Sequence, residues 1–180
     1  MMGDVLGKMI LYFGADAKRI QHAMKVYAFA QALYEAEAKD KGLAQEDPRK
    51  TTLLIASILH DIGIHEAERK YASTAGKYQE IEGPAIAGRI LTESGCDAAV
   101  SERVCYLIGH HHTYTMIDDL DFQILVEADL LVNLQEDAMD QQAIASVRDK
   151  YMKTAEARMI LDSYLCLTQK GSGQPVPEAP

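Results

Sequence analysis

The segment Thr52–Gly63, with the sequence TLLIASILHDIG, indicates a helix buried on most of its sides that ends in a histidine and an aspartate. Apolar or small residues occupy every position from Leu53 to Leu59, so no face of this helix suits water. A buried charge has to be paired, bound to a metal or neutralised. The pair His60 and Asp61 therefore indicates half of a metal site. The alternative is that His60 interacts favourably with the helix dipole and Asp61 caps the next segment.

Helical patterns continue on both sides of this segment. Asp16 caps a long amphipathic helix that runs to about Lys39, and Asp47 followed by Pro48 starts the helix that ends in the His-Asp pair. Between His65 and Tyr78 the pattern breaks into charged residues, Ser, Thr and Gly, which predicts a loop or lid of about a dozen residues. Further helices are predicted over residues 79–95, 98–111, 122–135 and 141–167.

The length and net charge of the chain limit the classes of protein to which it can belong. A chain of 180 residues can form one domain with a substantial core. Because no strand-like alternation occurs, we predict a single all-α domain over residues 1–170. The last ten residues, GSGQPVPEAP, are rich in Gly and Pro and predict a disordered tail over residues 171–180. The net charge of −9 argues against a nucleic-acid polymer as partner, although it permits a small phosphorylated substrate.

Cysteine usage and hydropathy predict a cytoplasmic protein that does not enter a membrane. The three cysteines are odd in number and lack CxxC spacing, which is typical of a reducing compartment. No run of 18 apolar residues and no basic leader occurs in the sequence. The apolar patch from Met9 to Phe13 could bury against a partner chain, so a homodimer is possible.

Potential metal ligands occur at four places along the chain. A lone histidine such as His22 is most often an ordinary residue, and three consecutive histidines can be a surface run. Here, however, five of the six histidines fall at these places. Imidazole and carboxylate together suit Mn, Fe, Zn, Co or Ni rather than Ca, and the absence of Cys disfavours structural zinc. The four places are His22, His60-Asp61, His110–His112 and Asp129.

With these motifs the chain resembles the HD-domain superfamily of metal-dependent phosphohydrolases. RIQHAMKV carries the first histidine, LLIASILHDIG the His-Asp pair and LVEADLLVN the last aspartate, over residues 19–137. The resemblance implies an HD-domain-like bundle of about six or seven helices. It also implies one or two divalent transition-metal ions, with His22, His60, Asp61 and Asp129 as ligands of the core metal.

Some members of this superfamily hold a second metal through additional histidines. IGHHH resembles their histidine pair, with His110 and His111 at the matching places. The intermediate histidine is missing, and the matching helix reads QEIEGPAIAGRIL, in which Glu80 and Glu82 are the nearest carboxylates. Glu82 could substitute as a ligand. The GYP element is absent and Ile64 replaces the lysine that commonly follows HDIG, so hydrolysis of a cyclic dinucleotide is not predicted.

The resemblance implies hydrolysis of a phosphate ester of a small molecule, such as a nucleotide, by a metal-activated water. Asp61 would orient that water or accept its proton, and His110 or His111 would protonate the leaving oxygen. Substrate contacts are predicted from residues that flank the ligand-bearing segments: Arg19, Lys77 and Tyr78, with Tyr114 as a second aromatic.

Two other functions fit the same ligand pattern. One is a di-iron oxygenase, of which myo-inositol oxygenase is the example in this superfamily, and it requires a redox-active iron pair. The other is a non-catalytic ligand-sensing module that keeps its metal for stability. Family frequency favours the hydrolase, which is an argument by analogy.

Overall fold

Helices account for all the regular structure in the described part of the chain. The computed structural model describes residues 1–44 and 47–170, with side chains as far as residue 163. Over these residues it has nine α-helices and one 3-10 helix at Tyr114–Met116, which confirms the all-α class and exceeds the predicted six or seven helices. The α-helices are α1 (Met2–Phe13), α2 (Ala17–Lys41), α3 (Pro48–Leu59), α4 (Ile64–Tyr71), α5 (Gly76–Glu93), α6 (Ala98–Ile108), α7 (Leu120–Glu136), α8 (Gln141–Tyr151) and α9 (Ala155–Lys170).

Aspartates start five of these helices. Each aspartate side chain accepts a hydrogen bond from a backbone N–H of the first turn, a group that the helix itself leaves unpaired. In α3 the cap is followed by Pro48, whose fixed φ suits the first helical position. The capping residues are Asp16 for α2, Asp47 for α3, Asp97 for α6, Asp119 for α7 and Asp140 for α8.

Helix α3 is the central element of the bundle. Every residue from Thr52 to Leu59 is buried, as expected for a helix with no polar face. It packs against α1, α2, α6 and α7, and α2 also packs along α7. This arrangement places the carboxyl end of α3 beside the inner faces of α2 and α7.

The predicted loop from His65 to Tyr78 is wrong over most of its length. Residues 64–71 form α4, and α5 already begins at Gly76. Ile64 and Ala67 anchor α4 in the core, and Glu66 pairs with Arg69 and Lys70 at helical spacing. The charged residues that suggested a loop are therefore the solvent face of a short amphipathic helix.

The predicted final helix over residues 141–167 is also wrong, since it is broken between α8 and α9. The buried carboxylate of Glu127 in α7 accepts hydrogen bonds from the Lys153 and Thr154 N–H groups and from the Thr154 hydroxyl. Thr154 then accepts from the Ala157 N–H at the start of α9. A long-range contact thus competes with local helical hydrogen bonding at this point.

The apolar N-terminal patch belongs partly to the core of its own chain. Within α1, the side chains of Met9 and Phe13 face the core and are buried, whereas those of Ile10 and Leu11 are exposed. The homodimer and the single domain over residues 1–170 stay predictions, and the predicted tail 171–180 lies outside the described residues. Among the described helices, none is both long and apolar enough to cross a bilayer.

Candidate metal centre

Four segments of the bundle bring imidazoles and carboxylates together at its centre. His22 lies in the second turn of α2, and Asp129 lies midway along α7. His60 and Asp61 follow the last turn of α3, and a turn after α6 carries the histidine run. Because α2, α3 and α7 pack side by side, residues separated by up to 114 positions along the chain come into contact.

The first cluster consists of His22, His60 and Asp129, which are all buried. The Nε2 atoms of the two histidines lie 3.2 Å apart. Asp129 Oδ1 is 3.2 Å from the His22 Nε2 and 3.5 Å from the His60 Nε2. Three potential ligand atoms therefore face one another across a space of the size that a metal ion requires.

The other ring nitrogen of each histidine in this cluster is already engaged. His60 Nδ1 lies 2.9 Å from the Ser57 carbonyl oxygen, which can only accept, so Nδ1 carries the proton. His22 Nδ1 lies 3.1 Å from Glu136 Oε2, which selects the same tautomer. The two neutral rings thus direct their Nε2 lone pairs at each other and at a carboxylate. Such an arrangement is stable only with a proton or a metal cation between them.

The second cluster consists of Asp61, His111 and His112. His111 donates from Nδ1 to the Ile108 carbonyl oxygen at 2.8 Å, and its Nε2 lies 3.6 Å from Asp61 Oδ1. The Nε2 atoms of His111 and His112 are buried and have no hydrogen-bond partner in the described structure. The His112 ring fits because residue 76 is glycine: a Cβ there would approach the ring to 2.3 Å. Unpartnered buried nitrogens of this kind fit a bound metal.

Asp61 lies between the two clusters. Its Oδ2 is 3.6 Å from the Nε2 atoms of both His22 and His60, and its Oδ1 faces His111. One carboxylate therefore points one oxygen at each cluster. A carboxylate placed in this way could supply a ligand atom to each cluster.

The ionisation equilibria show how strongly these groups interact. Burial alone would lower the pKa of His22, but Asp129 and Asp61 raise it to about 9. Burial would likewise raise the pKa of Asp61, but the neighbouring imidazoles of His60 and His111 lower it to about 2. The carboxylates favour a cation among the histidines, and a bound metal would replace that proton.

A cleft of about 370 Å³ opens over the first cluster. Arg19 lines it, but its guanidinium pairs with Asp16 and with Glu68 Oε1, the latter at 2.7 Å. Lys18 lines it without an ion pair in the described structure. Besides these two cations, the charged lining consists of four carboxylates, Asp61, Asp129, Glu136 and Asp137.

The structure brings together most of the predicted ligands and separates the others from them. His110 lies outside both clusters, since its Nδ1 bonds to the Tyr106 carbonyl and its ring packs on the Tyr106 ring at 4.5 Å. Glu82 lies elsewhere too, paired with Lys70 and with the Tyr71 hydroxyl. The predicted ligands that converge are His22, His60, Asp61, His111 and Asp129.

The predicted substrate contacts divide in the same way. Arg19 lines the cleft, whereas Lys77 and Tyr78 do not. The Lys77 ammonium lies 4.6 Å from the Tyr78 ring centre, and that ring stacks on Tyr71 at 4.1 Å. These two side chains therefore contact neighbours on α4 and α5, away from the cleft.

Sequence reasoning assigned no specific role to three residues of this centre. His112 takes the place expected for His110, and no local signal distinguishes the members of a histidine triplet. Gln79 is buried in the cleft lining, and its side-chain oxygen has no hydrogen-bond partner in the described structure. Glu136, which fixes the His22 ring, is one of many helical glutamates in the sequence.

Glu80, the other predicted alternative to Glu82 as a metal ligand, accepts hydrogen bonds from the His112 N–H and the Thr113 hydroxyl, so it supports the turn that carries the histidines.

The family model described as HD domain matches residues 19–161, which contain all the residues of both clusters. No curated protein and no solved structure matches the chain.

Proposed function

Because this chain belongs to the HD domain family, whose members are generally metal-dependent phosphohydrolases, we propose that it hydrolyses a phosphate ester of a small molecule. One observation carries the proposal: the buried Nε2 atoms of His22 and His60 and a carboxylate oxygen of Asp129 converge within 3.5 Å. A nucleotide is the substrate class that we favour.

The residues present fit two divalent transition-metal ions, one in each cluster. The donors are imidazole nitrogens and carboxylate oxygens, a set that suits Mn, Fe, Co, Ni or Zn. His22, His60 and Asp129 would hold one ion, His111 and His112 the other, and Asp61 would bridge them. Bound there, such ions supply water of lowered pKa and polarise a phosphoryl oxygen.

The chain itself positions these groups. Asn133 donates to Asp129 Oδ1 at 2.9 Å and fixes that carboxylate against the two histidines. We assign to Asp61 the orientation of the attacking water, since its two oxygens face both clusters. His111 is better suited to be a ligand than a proton donor, because its Nδ1–H is committed to a backbone carbonyl. His110 stays a predicted proton donor for the leaving oxygen, without a contact to either cluster.

The proposal also covers the type of substrate, the cellular location and the oligomeric state. The acidic surface and the size of the cleft support a small phosphorylated molecule rather than a nucleic-acid polymer. The cysteine pattern supports a cytoplasmic location, and a homodimer is compatible with the exposed Ile10 and Leu11.

Metal content and phosphatase activity, measured on the same preparations, test this function. We expect about two equivalents of metal per chain and hydrolysis of at least one phosphate monoester in a nucleotide panel. His60→Ala should lose both the metal and the activity. His65→Ala removes a histidine outside the clusters and is the matched control for metal content.

Three results would count against the proposal. Protein that binds no Mn, Fe, Co, Ni or Zn under any loading condition would exclude it. Metal-loaded protein without turnover on the panel would favour the sensing module. A coloured di-iron protein that consumes oxygen and hydrolyses nothing would favour the oxygenase.

A further inference from the structure

A second cavity, of about 630 Å³, adjoins the metal centre through His112, which lines both cavities. We call it the tyrosine–lysine pocket, since its lining includes Tyr114, Lys150, Tyr151 and Lys153. The Tyr114 and Tyr151 rings meet edge to face at 4.6 Å. An imidazole of the second cluster thus forms a wall shared between the metal centre and this pocket.

The charge of the tyrosine–lysine pocket is opposite to that of the cleft. Its lining contains two lysines and no carboxylate, although the chain as a whole carries a net charge of −9. Neither the Lys150 nor the Lys153 ammonium has an ion pair in the described structure. In the cleft, by contrast, four carboxylates face Lys18 and an Arg19 that is already paired. The lining of this pocket therefore carries a net positive charge, whereas the lining of the cleft carries a net negative charge.

The lysine segment of the pocket is fixed to the helix that carries Asp129. Gln123 in α7 donates to the Tyr151 carbonyl oxygen at 2.9 Å. One turn further along α7, the fully buried Glu127 accepts from the Lys153 and Thr154 N–H groups. The chain between α8 and α9 is thus held to α7 by side-chain hydrogen bonds. Its position relative to the first cluster is set by a single rigid helix.

We propose that the tyrosine–lysine pocket binds a second phosphate group of the substrate, which stays uncleaved while the scissile phosphate lies at the metal centre. Lysine ammonium groups bind phosphate as point charges, and the two tyrosines offer ring surface for the part of the molecule between the phosphates. The preferred substrate is then a molecule with two phosphate groups rather than a simple monoester. This inference rests on the proposed function for the assignment of the scissile phosphate.

Binding of two non-hydrolysable probes tests the pocket. An alkane diphosphonate, whose chain separates its two phosphonate groups, and the matching alkyl monophosphonate, which carries one, can both be titrated into the ¹⁵N-labelled protein as purified. We expect the amide signals of residues 113–117 and 150–153 to shift with the diphosphonate. The double variant Lys150→Ala/Lys153→Ala should bind the diphosphonate about tenfold more weakly and the monophosphonate unchanged.

Matched variants make the comparison specific to the pocket. Lys150→Arg/Lys153→Arg keeps the charges and should keep most of the affinity. Lys39→Ala removes an exposed lysine at the end of α2 and should change nothing. Equal weakening of both probes, or no weakening of either, would overturn the proposal.

Kinetics separate a failure of this inference from a failure of the proposed function. The kcat/KM for p-nitrophenyl phosphate, which has no second phosphate, should be the same in the wild type and in Lys150→Ala/Lys153→Ala. A protein that binds the diphosphonate through the two lysines but hydrolyses no ester would contradict the proposed function and leave the pocket assigned. Hydrolysis with a lysine-independent preference for two phosphates would contradict only the pocket.

Discussion

Three of the four histidines of the centre donate a hydrogen bond from Nδ1 to an oxygen of the protein. His60 and His111 each donate from Nδ1 to the carbonyl oxygen of the residue three positions earlier, and His22 donates to Glu136. The ring orientations are therefore set by the protein before any ligand arrives, and each Nε2 keeps a lone pair that can bind a metal ion. Backbone geometry at helix ends, rather than mutual contact, positions two of these three ligands.

Gln79 offers a test of the second cluster at the scale of one atom. Its side-chain oxygen is a buried acceptor without a partner in the described structure, and it lines the cleft with Asp61 and His112. We expect Gln79→Ala to weaken binding of the second metal equivalent by about tenfold and to leave the first unchanged. Competition with a chromophoric chelator measures the affinities for the first and the second metal equivalent. Gln31→Ala, on the surface of α2, is the control, and equal affinities in all three proteins would contradict the expectation.

Asp16 provides the clearest pH dependence away from the metal centre. Hydrogen bonding to His65, aided by Arg19, lowers its pKa from 3.8 to about 2. A lowered pKa means that Asp16 stabilises the fold fully above about pH 4 and loses this contribution as the pH falls towards 2. Asn also caps helices well, so Asp16→Asn removes the charge and keeps the cap.

We therefore expect Asp16→Asn to lower the free energy of unfolding by about 1 kcal/mol at pH 7. The difference from the wild type should shrink as the pH falls from about 4 to about 2. Urea unfolding across this range measures it. Asp16→Ala should cost about 1 kcal/mol more, because it also removes the cap. A difference that is independent of pH would show that the charge of Asp16 contributes nothing.

At the scale of elements, α4 and α5 meet through glycine. A Cβ at Gly63 would come within 2.6 Å of the Gly83 backbone nitrogen and 2.7 Å of the Gln79 carbonyl oxygen. Because those atoms belong to the backbone of α5, they cannot move aside independently. The close contact holds the start of α4 against the helix that carries Gln79 and Glu80.

Two glycine substitutions should therefore change the stability of the protein in opposite directions. Gly63→Ala should destabilise the protein by about 2 kcal/mol or more, through overpacking. Gly88→Ala, inside α5, would meet only Cys105 Sγ at an ordinary 3.7 Å and should stabilise by about 0.5–1 kcal/mol. Thermal unfolding of both variants measures the difference. A Gly63→Ala variant as stable as the wild type would contradict the close packing of α4 on α5.

The elements that could be predicted from the sequence are those with local signals. Aspartate caps and apolar periodicity give the starts of α2, α3 and α6, and the order of the motifs gives most of the ligands that converge. The break before α9 and the choice of His112 over His110 depend on residues far away in the chain, Glu127 and Gly76. Helix α4 was missed for another reason, since eight residues with two buried positions make a weak periodic pattern.

At the scale of the whole molecule, a metal ion at the first cluster would join α2, α7 and the end of α3. A ligand that binds only the folded state at 100 times its Kd stabilises it by about 2.7 kcal/mol. We therefore expect removal of the metal by a chelator to lower the Tm by about 5–10 °C. Scanning calorimetry before and after chelation measures this shift.

Two variants define the origin of the shift. His65→Ala should respond to the chelator as the wild type does, because His65 belongs to neither cluster. His60→Ala should show no response. The same shift in His60→Ala as in the wild type would place the stabilising metal elsewhere.

The spread of the ligands along the chain has a consequence for biosynthesis. The residues of the first cluster lie at positions 22, 60 and 129, and no short stretch of sequence contains more than one of them. An unfolded chain rarely contains a preformed metal site, and domains usually fold as units during translation. The nascent polypeptide cannot complete this cluster until Asp129 has left the ribosome. A metal ion at this cluster would therefore be acquired only after that point in translation, and the metal that fills it would be the one available to the cell at that moment.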